Sequence, residues 1–314
     1  MKMEMAFLLA EYIAVMLLMI LVGVILVKSK LLTQPQTKAF STLSLYVCAP
    51  CLVLTAFHIE FTPEKLQGIG LAILCAVVIH IVFIAGAHVL FRGRTDKDIV
   101  DRVSSVYSNA GGITMPLISA TLGPECLFYS VGYLVVQNIL MWTHVVYSFS
   151  GDKKKMRPLK VLSNPNNVMG IIGFVLFISG LELPEIVQST VDSFSNAAAP
   201  VLMVTMGIIL GSTDWREIFL RRRNYLVCAA RLLILPLLTL VVFKVLNMAQ
   251  WVSTGKTVIT VAMIAASAPV ASNMTLFAQM FDKEPNYASS VGMNSTLLCI
   301  FTTPALIALT QWWL

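Results

Sequence analysis

The sequence predicts an all-α integral membrane fold, with about ten spans arranged as two inverted five-helix repeats. Three observations carry that reading. Composition is one: 57% of the residues are apolar and only 12% charged, and the mean hydropathy is +0.82, far from a soluble domain. Apolar windows of ~20 residues, each able to cross ~30 Å of hydrocarbon, recur along the whole chain, so the domain count is one membrane unit. A proline interruption also recurs at corresponding places in the two halves, at Asn109 to Pro116 and at Ala268 to Asn273.

Taken in order, the windows place spans near Ala6 to Val27, Ala39 to Phe57, Ile69 to Phe91, Val103 to Leu122 and Leu127 to Phe149. A second set follows near Val168 to Leu181, Phe194 to Leu210, Tyr225 to Leu246, Thr257 to Met280 and Ala288 to Leu309, with those at Val168 and Phe194 the shorter. The first segment has no small-residue cleavage site and follows Met1-Lys2-Met3-Glu4, hardly a basic leader, so it reads as a retained helix. The repeats divide the chain at residues 1–160 and 161–314.

Basic residues in short loops resist translocation and so report orientation. Assigning loops alternately puts 17 Lys and Arg on one side, from Lys28 through Arg157 and Arg216 to Lys283. Only Lys2, Lys65, Lys244 and Lys256 fall on the other, and Arg231 lies inside a span. Both termini are therefore expected outside. The net charge of +6 is a topology signal, because the basic clusters are brief loops without interleaved aromatics and give no support to nucleic-acid binding.

Five helices per half, the first entering from outside, make the halves inverted. Three matches in order agree with duplication. Cys48-Ala49-Pro50 answers Ala198-Ala199-Pro200, Pro116 answers Pro269, and Ser130-Val131-Gly132 answers Ser290-Val291-Gly292, at separations of 150, 153 and 160 residues.

Proline lacks an amide hydrogen and obstructs the carbonyl four residues earlier, and glycines such as Gly111 and Gly112 loosen the neighbouring turn. A helix opened this way leaves unpaired backbone groups, which persist at mid-membrane only against protein or a wet cavity. The N-termini of its half-helices then favour an anion. A simple kink accounts for Pro50 and Pro200. A site is expected at Pro116, beside Ser108, Asn109 and Thr114, and at Pro269, beside Ser267, Ser272 and Asn273.

These motifs resemble the auxin efflux carrier family, which includes the plant PIN-type carriers and bacterial malate and malonate permease-like proteins. Ser108 to Pro116 is similar to that family's Gly-Asn-x-x-x-x-x-x-Pro crossover helix, with Ser108 where Gly is usual. Gln137 ahead of Trp142, Asn164-Pro165-Asn166-Asn167, Ala199-Pro200 and Ala268-Pro269 fall in the family's order. The resemblance implies a bile acid symporter-like fold with crossed, broken fourth and ninth helices. It also implies a dimerising scaffold of helices one, two, six and seven, a moving transport domain of the other six, and elevator-type exchange. By the same resemblance Asn109 and Gln137 contact a substrate carboxylate and the opening at Pro269 offers it backbone amides. Ser272 and Asn273 follow from position alone. The short connection between the halves resembles bacterial members, which points to the inner membrane.

No Asp or Glu lies in either broken segment, which weighs against a carboxylate-based sodium or proton site. His80, mid-way along the third span, is the proton-relay candidate, set against the simpler reading of a hydrogen bond to a neighbouring helix. Arg231 lies about two turns from the inner end of the eighth span, where snorkelling to the headgroups accounts for it, with a cavity-facing role as the alternative. The Arg221-Arg222-Arg223 run reads as a topology anchor. Cys48 and Cys51, like the other four cysteines, read as apolar residues without metal or disulfide chemistry. No phosphate loop or hydrolase motif is present, so no cofactor and no enzymatic activity are expected. Three functions remain: a secondary carrier of a small organic anion such as a mono- or dicarboxylate, a sodium-coupled symporter of the bile acid type, and a membrane sensor that moves nothing.

Overall fold

The computed structural model describes residues 2–33, 36–156, 158–212 and 221–313; Arg157 and Arg216 of the orientation count lie outside the described residues. The architecture is all-helical. Helices α1 (Lys2–Lys28), α2 (Thr37–Thr55) and α3 (Pro63–Leu90) are followed by a broken span, α4 (Asp96–Val106) and α5 (Ala110–Leu122), and by α6 (Glu125–Ser150). Helices α7 (Pro165–Ser179), α8 (Glu185–Gly211) and α9 (Arg222–Val245) precede a second broken span, α10 (Gly255–Ser267) and α11 (Asn273–Met280), and α12 (Pro285–Trp313) closes the chain. Among the described residues, six helices of 19 to 29 residues are long and apolar enough to cross a membrane, and four shorter apolar helices accompany them.

Local chemistry sets the boundaries. Thr62 accepts from the Lys65 amide with Pro63 in the first turn, which starts α3. Thr95 and Asp98 form a reciprocal capping box that starts α4. Asn164 accepts from the Asn166 amide at 3.0 Å and starts α7. The seventh span is longer than expected: α8 runs 27 residues from Glu185, because Gln188, Ser189, Asp192 and Ser193 depress hydropathy without interrupting the helix. Thr55 of α2 and Gln188 both donate to the Asp192 carboxylate, which gives it partners.

Three prolines sit just beyond a widened π turn. Pro50 follows Ser44–Cys48, Pro116 follows Ala110–Thr114, and Pro236 follows Ala230–Ile234. In each case the carbonyl four residues before the proline lies within that turn, where the wider spacing relieves the clash with the ring.

Two groups of helices follow from the packing. Helix α1 runs along α8, which also packs on α2, and α2 packs on α7. Gly23 and Gly207 make the α1–α8 contact possible, since a Cβ on either would collide with the other helix's backbone. In the second group α3 packs on α6, and α10 lies among α3, α6 and α12.

Candidate functional site

Two segments of irregular backbone meet at the centre of the bundle. Residues 107–109, between α4 and α5, and residues 268–272, between α10 and α11, run antiparallel, with Ser108 opposite Val270. The Asn109 amide donates to the Pro269 carbonyl at 2.8 Å, and the Ala271 amide donates to the Tyr107 carbonyl at 2.9 Å. Each break thus satisfies backbone groups that the other leaves open.

The outward-pointing groups are taken by side chains. Gln137 of α6 accepts from the Ser108 amide at 3.1 Å and from its hydroxyl at 2.9 Å, and donates to the Ser108 carbonyl at 2.9 Å. Ser295 of α12 accepts from the Val270 amide at 3.0 Å. Gln137 is buried and spends its amide on Ser108, so the structure sets it against the backbone of the first break.

Asn109 and Ser272 come together across the crossover, with Asn109 Nδ2 donating to Ser272 Oγ at 3.3 Å. Neither side chain caps the turn that follows it. Asn273 turns to α6, its Nδ2 lying 3.7 Å from Met141 Sδ. A Cβ at Gly112 would collide with the Asn109 side chain and Leu202 of α8, whereas one at Gly111 would make ordinary contact with Leu134 of α6. Pro116 is buried at the start of the regular part of α5.

Beside this crossover lies a small pocket of about 40 Å³, lined by Met16, Leu17 and Ile20 of α1, Ile113, Thr114 and Leu117 of α5 and Met203 of α8, together with Ile264, Ala268 and Pro269 and four residues of α12, Thr296 to Thr303. Among the described residues the lining is apolar apart from three threonines, with no charged side chain. Of the residues singled out in the sequence, Pro269 and Thr114 line it, Thr114 with a buried hydroxyl that meets no partner among the described residues.

A family model described as membrane transport protein matches residues 8–307. The chain belongs to that family. No curated protein matches it. Membership in the membrane transport protein family, together with the apolar helices, makes the chain a multi-pass membrane transporter.

The membrane transport protein frame also exposes residues that the sequence reading misjudged or missed. Arg231 does not snorkel: its side chain is wholly buried, with the guanidinium over the Phe83 ring at 5.0 Å. A lone hydropathy window could not show this, because the helices packed around Arg231 decide its burial. The Nδ1 of His80 sits 2.7 Å from the Ala76 carbonyl of its own helix, and among the described residues its Nε2 meets no partner, so no neighbouring helix there supplies the expected hydrogen bond. Arg223 is more than a loop anchor, since it pairs with Asp98 and Asp101 of α4. The spacing of those two acids on one helix face was the available signal. His144, given no role from sequence, meets the Tyr107 hydroxyl at 2.8 Å. Cys48 is buried, Cys51 is half-buried, and both are free thiols.

Proposed function

We propose that this transporter is an elevator-type secondary carrier for a small organic monocarboxylate with an apolar body, whose carboxylate is held at the paired breaks. The observation that carries the reading is the pairing of the two breaks through neutral groups, with a small apolar pocket between Thr114 of α5 and Pro269 beside them. A carboxylate at the breaks would meet neutral donors, the uncapped first turns of α5 and α11 and the Asn109–Ser272 pair, with the free Thr114 hydroxyl in the adjoining pocket. Helix-end dipoles and hydroxyls stabilise a single negative charge without a side-chain cation at the site. A second carboxylate would find no cation in the lining, and burying it unpaired costs several kcal/mol.

In this reading Gly111 and Gly112 let the chain turn, Pro116 and Pro269 hold the breaks open, and Gln137 fixes Ser108. Helices α1, α2, α7 and α8, which pack on one another, form the scaffold of a homodimer, and the remaining helices carry the substrate. The inverted repeats are supported by the matching halves of the crossover, since each break is held by a side chain of the helix that follows its span: Gln137 of α6 and Ser295 of α12. The basic loops favour both termini outside a bacterial inner membrane.

Proteoliposome uptake of radiolabelled indole acetate, benzoate, malate and malonate tests the proposal. Uptake of the monocarboxylates is expected to exceed that of the dicarboxylates at least ~10-fold, about 1.4 kcal/mol, and to fall in Asn109→Ala and Thr114→Val. Malate taken up as fast as benzoate, or fluxes unchanged in both variants, would sink it.

A further inference from the structure

Arg231 is the only Lys or Arg among the buried side chains of the described residues. Its Nη1 reaches the carbonyl oxygen of Val106 at 3.4 Å, while Nε and Nη2 meet no acceptor among the described residues. Tyr133 and His80 share its surroundings, and the two rings stand 5.1 Å apart. Val106 is the last residue of α4, so its carbonyl belongs to the set that a helix leaves unbonded at its negative end. In discontinuous membrane helices such ends, with unwound carbonyls, are where a sodium ion or proton is held. Among the described residues no carboxylate pairs with the guanidinium. Asp101, the buried acid of α4, is already engaged by Arg223 and Tyr287.

We propose that Arg231 is a tethered cation that fills the coupling-ion position behind the crossover, so that this transporter moves its anion without co-transported sodium or protons. The transport consequence rests on the carrier reading above, whereas occupancy of the position is a property of the fold. A guanidinium stays charged at every working pH, so the position is never vacant. Its charge offsets that of a bound carboxylate, leaving the loaded unit near neutral and the empty one positive.

Thermal unfolding in detergent separates the two parts. Wild type and Arg231→Ala are compared in choline chloride, sodium chloride and methylguanidinium chloride at equal ionic strength. Methylguanidinium is expected to raise the midpoint of Arg231→Ala by about 3 °C or more and leave wild type unmoved, because only the variant has the position open. In proteoliposomes, wild-type benzoate uptake is expected to be the same in sodium and choline and with or without a pH gradient. Uptake by Arg231→Ala should fall at least ~10-fold and recover with methylguanidinium. Arg231→Gln carries the same test if Arg231→Ala does not fold. Sodium- or proton-dependent uptake by wild type overturns the inference, as does a methylguanidinium shift that is absent or equal in both proteins. Absence of all organic-anion uptake overturns the carrier reading instead, and the unfolding shifts still decide the cation position.

Discussion

At the crossover, buried backbone is satisfied by the opposite break, a glutamine amide and a serine hydroxyl, all neutral. At the start of α4 a comparable concentration of polar groups is satisfied by ions. Arg223 Nε donates to Asp101 at 2.6 Å, Tyr287 donates to the same carboxylate at 2.7 Å, and Asp98 takes the other arm of the guanidinium. Lys283 and Lys97 extend the cluster to Asp96 and Glu284. The difference is access to water. Asp101 is fully buried, yet its partner's side chain is 40% exposed, so the pair is solvated at one end. Ser108, Val270, Gln137 and Ser295 are all buried, and neutral partners avoid the desolvation that ions among them would suffer.

The sharpest way to break this contrast is Gln137→Leu. It leaves the Ser108 amide and carbonyl without partners, and at about 1–3 kcal/mol per buried group it should cost about 2–6 kcal/mol in thermal or denaturant unfolding. A loss under about 1 kcal/mol would mean that water reaches Ser108, and the crossover would then be as wet as the charged cluster. Asp101→Ala comes next, with about 2–3 kcal/mol expected, since it strands the Tyr287 hydroxyl and half-frees Arg223, whose exposure limits the penalty. Ser295→Ala removes one bond, to the Val270 amide, and should cost about 1–2 kcal/mol in the same assay.

The smallest effect is acid sensitivity at the charged end. The Thr95 hydroxyl and amide, with Arg223 beside them, hold the Asp98 carboxyl down at about 2. A carboxyl depressed in the folded state contributes its stability above its ordinary value of 3.8, and that contribution is lost as pH falls towards 2. The unfolding midpoint should therefore decline between those values, and less steeply in Thr95→Ala. An unchanged slope in that variant would shift the credit from the cap to Arg223.

The two regions were unequally legible in the sequence. Pro116, Pro269 and the small polar residues beside them marked both breaks, because proline chemistry is local. The partners of the breaks were not marked as such. Gln137 was expected to contact substrate, and its position along the chain gave no sign of the bonds its amide makes to Ser108. Ser295 carried no signal at all, one hydroxyl among many on an apolar helix. The charged cluster was half visible: Asp98 and Asp101 share a face, while Arg223 looked like any loop arginine until α9 was set beside α4. Arg231 was misjudged for the same reason, because burial of a lone cation is decided by neighbouring helices.

The pairing of the breaks also bears on how the protein is made. Asn109 finds its partner, Pro269, 160 residues later in the chain. At about 5–20 residues per second, ribosomes need roughly 8 to 32 s to supply it. Throughout that interval the first half has reached the bilayer with backbone at Tyr107 and Asn109 that hydrocarbon cannot satisfy. Its fourth span must therefore wait at the interface or in the care of the insertion machinery. The site can close only after most of the second half has been synthesised, so truncation before Pro269 leaves an incompletely inserted first half in place of a smaller carrier.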